Sequence, residues 1–92
     1  MFRIVEKRLL APDIWLMNVE APRVAKAAQP GQFVIVRGTD DGERIPLTVA
    51  DYDREQGTIS IVIQAVGAST RKIVALEEGG ALADFAGPLG QP

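Results

Sequence analysis

Ninety-two residues amount to one domain with one hydrophobic core, long enough to bury roughly 60–65% of the surface that its extended chain would expose. With 47% apolar residues the composition is globular, and a formal net charge of -2, from 12 acidic and 10 basic residues, lacks the basic excess of a phosphate-backbone binder, so nucleic acid is not an expected partner. Cysteine and histidine are both absent, which excludes thiolate catalysis, a Ser-His-Asp triad, a disulfide framework and the usual zinc sites. Any chemistry must come from a bound cofactor or from carboxylates.

The opening MFRIVEKRLL interrupts its apolar residues with charges every two or three positions, so it is neither a secretory h-region nor a membrane span, and a cytoplasmic protein is expected. The alternation from Phe2 and the apolar run DIWLMNVEA (Asp13 to Ala21) predict two strands broken at Ala11-Pro12. Residues 22–31 hold at most a helical turn before Pro30-Gly31 launches the strand QFVIVRG. Asp40-Asp41-Gly42 reads as a tight hairpin turn with positive dihedrals. A strand over Ile45–Ala50 follows, then a turn at DYDREQG and the most regular strand, TISIVIQAV, with Ile59, Ile61 and Ile63 on one core-facing side. The opposite side, Thr58, Ser60, Val62, Gln64 and Val66, is half polar and expected to be partly covered. In STRKIVALEEGG the period changes to helical, with Ser69 as N-cap and Gly79-Gly80 beyond the last turn. ALADFA is a last short strand. Six short strands and one short helix predict an all-β, closed antiparallel barrel.

Two features point to an anion. The junction QAVGASTRKI places Gly67, Ala68, Ser69 and Thr70 between a strand end and a first helical turn, where free N–H groups and hydroxyls suit a phosphate, although both hydroxyls are also ordinary capping groups. Arg71 and Lys72 in that first turn would oppose the helix dipole unless an anion offset the cost. Arg44 precedes the strand next to Thr58–Val66, and a guanidinium suits a diphosphate, the plainer alternative being a rim salt bridge to Glu43 or Asp41.

PGQFVIVR (Pro30 to Arg37), RIPLT (Arg44 to Thr48), VGASTRK (Val66 to Lys72) and GPLG (Gly87 to Gly90), in this order over nearly the whole chain, resemble the FAD-binding barrel of ferredoxin reductase-type flavoproteins. Within that superfamily they are most similar to the electron-transfer subunit of dihydroorotate dehydrogenase and the small subunit of NADH-dependent reduced ferredoxin:NADP oxidoreductase, also labelled sulfide dehydrogenase. RIPLT and GPLGQP lean towards the second. The resemblance implies a six-stranded Greek-key barrel whose one helix caps the FAD pyrophosphate. It further implies a cofactor set of Arg44, Pro46, Leu47, Thr48, Gln64, Val66, Gly67, Ser69 and Thr70, with no catalytic side chain and no metal ligand. The family pattern Arg-x-Tyr-Ser/Thr is met by Thr48 at the hydroxyl and by Leu47 in the aromatic's place, so both are expected against the isoalloxazine. The arginine is displaced by one, since Ile45 stands three before Thr48. A one-residue shift turns a strand side chain to the other face, and a local kink at Pro46 is the expected remedy.

In the family GPLG leads into an NAD(P)H-binding domain, and a cysteine cluster beyond it holds a [2Fe–2S] centre. Residues 1–92 are therefore expected to be the N-terminal FAD-binding domain of a longer reductase that works with a larger catalytic subunit. A small barrel used only for binding or subunit contact is the alternative from another class. Its oligonucleotide-binding form is poorly served by five aromatic residues, Phe2, Trp15, Phe33, Tyr52 and Phe85, in an acidic chain.

Overall fold

The structure, a computed structural model, describes residues 2–91. Strand β1 (Phe2–Ala11) reverses into β2 (Ile14–Glu20); helix α1 (Pro22–Ala27) leads to β3 (Phe33–Arg37). Then come β4 (Ile45–Asp53), β5 (Thr58–Gln64), helix α2 (Ala68–Val74), β6 (Ala81–Leu82) and β7 (Asp84–Leu89). The reversal after β1 is tight because Asp13 takes a φ of 61°, a left-handed conformation that aspartate tolerates better than most side chains. Pro22 opens α1 at a position where its missing N–H costs nothing, and the helix buries Val24 and Ala25.

All pairings are antiparallel, in the order β6-β1-β2-β5-β4-β3-β7. The run β2-β5-β4-β3 is a Greek key: β3, β4 and β5 form a meander, and β2, joined through α1, lies against β5. Seven strands replace the expected six, because ALADFA is divided at Ala83. Its first part pairs with β1 and its second with β3, while the Ala83 N–H donates to the Arg37 carbonyl at 2.9 Å. One segment thus serves both free edges of the sheet and must bend to do so, leaving the barrel nearly closed. Residues 22–27, expected to hold no more than a turn, form the first of two short helices among the described residues.

The barrel interior follows the alternation: Ile59, Ile61 and Ile63 are fully buried against Ile4, Met17, Val19, Val34, Val36 and Val49, each large side chain contributing about 1.5–3 kcal/mol by its burial. On the other face of β5, Thr58 and Ser60 are half-buried, whereas Val62 and Gln64 are exposed. Helix α2 lowers Ile73 into one end of the barrel, and Gly38 permits that approach, since a Cβ there would lie 3.2 Å from Ile73 Cγ1. The Lys7 ammonium, on β1, lies 4.7 Å from the centre of the Trp15 ring on β2 and 3.9 Å from Glu77, which follows α2.

Two expected turns differ. Gly42 has no positive φ; the 38–44 connection is closed by Thr39, whose carbonyl accepts from the Gly42 N–H at 3.0 Å. The strand after it continues through Asp53, so the turn expected over DYDREQG shrinks to residues 54–57. Among the described residues no helix is long and apolar enough to cross a membrane.

Candidate functional site

Strands β4 and β5 pair from Asp53–Thr58 to Val49–Ile61 and then part. Beyond that point β4 pairs with β3, Thr48 opposite Phe33 and Ile45 opposite Val36, while Val62 and Gln64 pair with β2. The wall of the barrel therefore opens between residues 44–48 on one side and 62–67 on the other, with α2 starting at its end. Every residue of the expected cofactor set except Ser69 and Thr70 lies on these two stretches, and those two follow immediately in α2.

The pleat decides which of them face outwards. Neighbouring strand residues point to opposite sides, and Leu47 turns inwards to pack on the core with Ile45, whereas Pro46 and Thr48 are exposed. Leu47 and Thr48, both expected against the ring, thus point to opposite sides of β4. Arg44, an even number of positions before Thr48, is exposed as well. The displacement of the arginine by one thus leaves it among the exposed residues, while Ile45, at the usual spacing, is in the core layer. No kink at Pro46 is involved, since the β3–β4 register is unbroken through Ile35 and Pro46. Proline is tolerated there because β4 is an edge over this stretch.

Gly67, in place of Ser69, is the N-cap of α2. Thr70 closes the cap: its hydroxyl accepts from the Gly67 N–H and donates to the Gly67 carbonyl, both at 3.0 Å. That hydroxyl is committed to the turn, whereas Ser69 has no side-chain hydrogen bond among the described residues. The N–H groups of Ala68, Ser69 and Thr70 begin the helix without intrahelical acceptors. Because the helix starts at Ala68 and ends at Val74, Arg71 and Lys72 fall in its last turn, where the dipole favours cations. Their positions therefore give no sign of an anion, contrary to the sequence argument.

Gly67 itself does. Every other described glycine has either a positive φ or a neighbour within 3.2 Å of where a Cβ would stand. Gly67 has an extended backbone, φ -138° and ψ 174°, which any residue adopts, and nothing of this chain within 4 Å of its missing Cβ. Neither a positive φ nor close packing calls for a glycine here, and its place as N-cap favours it over alanine only modestly. Beside it Val66 is 66% exposed and Val62 37% exposed, and Gln64 on the same strand and Thr48 on the other border of the gap are exposed as well.

Arg44 pairs with neither Glu43 nor Asp41. Its Nε and Nη2 both lie 3.2 Å from Asp84 Oδ2 on β7, beyond the intervening β3. A cleft of about 170 Å³ between the 38–43 connection and α2 is lined by Gly42, Glu43, Ala68, Ser69 and Lys72, and so brings the chain next to Arg44 against the helix start. Asp41, also on this cleft, is held below the ordinary aspartate value of 3.8 by the Thr39 hydroxyl, which donates to it at 2.8 Å, by its own backbone N–H and by the nearby Lys72 ammonium. Asp84 and Thr39 were not readable as site residues: Asp84 is 40 positions from Arg44, and nothing local marks it.

The open wall, the bare helix start and the Greek-key order together define a small antiparallel barrel with a gap in its wall beside a helix start. No protein-family model matches the chain. It is 55% identical over its whole length to a protein of Clostridium beijerinckii known only as "Uncharacterized protein in adh 3'region", of which it covers 31%. It is 44% identical, over 97% of its length, to 32% of a Thermotoga maritima homologue of the electron-transfer subunit of dihydroorotate dehydrogenase B (NAD(+)). Among solved structures, the NADH-dependent reduced ferredoxin-NADP oxidoreductase, studied for flavin-based electron bifurcation, superposes with a TM-score of 0.96 at 42% identity, over all of this chain and 33% of that one. Over its whole length the chain thus resembles the barrel of ferredoxin reductase-type flavoproteins. It spans about a third of the length of the curated relatives it matches.

Proposed function

We propose that this chain is the FAD-binding domain of a longer NAD(P)H-linked oxidoreductase subunit, which passes electrons between nicotinamide, FAD and an iron–sulfur centre. The observation that carries the reading is Gly67, whose extended backbone at the start of α2 and open Cβ position leave room for a ligand against the helix N–H groups. The diphosphate is assigned to Arg44, to the N–H groups of Ala68 and Ser69 and to the Ser69 hydroxyl, with Thr70 bracing the turn. The ring is assigned to the gap between β4 and β5, where Pro46, Val62 and Val66 offer apolar cover and Thr48 and Gln64 offer hydrogen bonds at its polar edge. Leu47 supports this strand from the core side. When bound, FAD supplies two-electron exchange with a nicotinamide and one-electron exchange with a metal cluster. The protein's part is to bind the ring, orient it and keep water from one face of it; no side chain in the gap is needed as an acid or base.

The NAD(P)H-binding domain, the [2Fe–2S] centre and the contacts to a larger catalytic subunit are placed in the two thirds of the relatives' length that lie outside this match. We place the protein in the cytoplasm, which supplies reduced nicotinamide. The ferredoxin-NADP oxidoreductase branch is supported by the full-length superposition, and the dihydroorotate branch is the second reading, favoured by the similar identity of 44% to the Thermotoga maritima protein. Titration of the purified protein with FAD, followed by flavin absorbance and fluorescence, tests the reading. One FAD per chain, bound more tightly than riboflavin, is expected. Binding of neither flavin would return the chain to the class of interaction barrels.

A further inference from the structure

We propose that Asp84 is a positioning residue for Arg44, holding the guanidinium by one edge so that its other edge is presented to the ligand's diphosphate; this rests on the reading of the site given above. The carboxylate is the fixed partner. Its Oδ1 accepts from the Phe85 N–H at 3.0 Å, which ties it to the backbone of β7, and it is 34% exposed against 60% for Arg44. Its Oδ2 takes both Nε and Nη2 of Arg44 at 3.2 Å. A guanidinium carries five N–H donors in one plane. With Nε and one N–H of Nη2 engaged, both N–H groups of Nη1 and the second of Nη2 remain, and of these three one N–H of Nη1 and that of Nη2 run parallel and match two oxygens of a phosphate.

The competing cation is removed by the fold. Arg37 is the cross-strand partner of Asp84, but its Nη1 donates to the Asp40 carbonyl at 2.7 Å, which leaves Asp84 to Arg44. An arginine without this anchor would have to give up its rotamer freedom on binding, a loss of about threefold to tenfold in affinity. Long-range repulsion between Asp84 and the diphosphate acts in the opposite direction, so the two effects predict opposite orders for a substitution series.

The experiment compares FAD and riboflavin binding to the wild-type protein, Asp84→Asn, Asp84→Ala, Arg44→Ala and the Arg44→Ala/Asp84→Ala double variant. It is run at about 0.5 M salt, where the screening length falls to roughly 4 Å and contact effects dominate. Affinity for FAD is expected to fall in the order Asp, Asn, Ala, by about threefold to tenfold for Ala, with riboflavin unchanged and no further loss when Asp84→Ala is added to Arg44→Ala. Tighter FAD binding by either Asp84 variant would make the carboxylate a competitor and overturn the proposal. Unchanged binding, an equal loss for riboflavin, or a loss that persists without Arg44 would overturn it too. The Asn variant, which keeps the shape, guards against misfolding of the Ala variant. Failure of the site reading is separate: Arg44→Ala alone would then leave FAD binding unaltered, and the positioning role would fall with it.

Discussion

Replacing Gly67 by alanine separates the demands of the fold from those of a ligand. For the fold the change is nearly neutral by two opposed effects. At an N-cap alanine is worse than glycine by roughly 0.5–1 kcal/mol, while a glycine-to-alanine change at a conformation that alanine adopts freely gains about 0.4–1 kcal/mol by restricting the unfolded chain. Since φ is -138° and the new methyl meets nothing within 4 Å, neither strain nor a clash enters. The net change in stability is therefore within about 0.5 kcal/mol, measured by urea denaturation of the flavin-free protein. For the ligand, a methyl group pushed into a packed contact costs about 1–3 kcal/mol, which is fivefold to a hundredfold in affinity for FAD. Paired titrations and denaturation curves read both numbers. If Gly67→Ala binds FAD as the wild type does, the space beside Gly67 is not a ligand's, and the argument from this glycine fails.

Arg44→Ala should weaken FAD binding roughly tenfold or more through the lost charge-assisted bond and leave riboflavin binding unchanged, while loss of the exposed pair with Asp84 costs the fold no more than about 1 kcal/mol. Ile61→Ala removes a fully buried side chain and is expected to cost about 2–5 kcal/mol, read from the shift of the denaturation midpoint. The Asp41 carboxyl, followed by NMR, should titrate below 3.8, and Thr39→Val, which removes the largest cause, should raise its midpoint. Since its folded value lies below the unfolded one, the linked stabilisation is present above 3.8 and fades as pH falls through the folded value.

The parts of the fold that strand alternation governs were legible in the sequence. Ile59, Ile61 and Ile63 face the core because a period of two admits no other choice once one of them is buried. The bend at Ala83 was not legible, because it answers to the two sheet edges that the segment 81–89 has to join, and edges are tertiary facts. The site divides in the same way. Gly67, Thr48 and Arg44 were singled out by type and order, and the family resemblance grouped them into one cofactor set, whereas the gap between β4 and β5 is visible only in the strand pairing. Whether Leu47 faces the ring or the core depends on strand phase, which the motif alone did not fix. The start of α2 moved from Ser69 to Gly67 because Thr70 reaches back to the Gly67 N–H, a local bond that two adjacent hydroxyls left ambiguous. That shift also transfers Arg71 and Lys72 from an unfavourable to a favourable end of the helix.

The central claim is that FAD lies where β4 and β5 part. Mapping backbone amide shifts of the ¹⁵N-labelled protein on addition of FAD tests it most directly. The largest changes are expected at residues 44–48 and 62–70, with the amides of Gly67, Ala68 and Ser69 losing their response when riboflavin replaces FAD. Changes centred instead on the turn at residues 54–57, or on α1, would contradict the account.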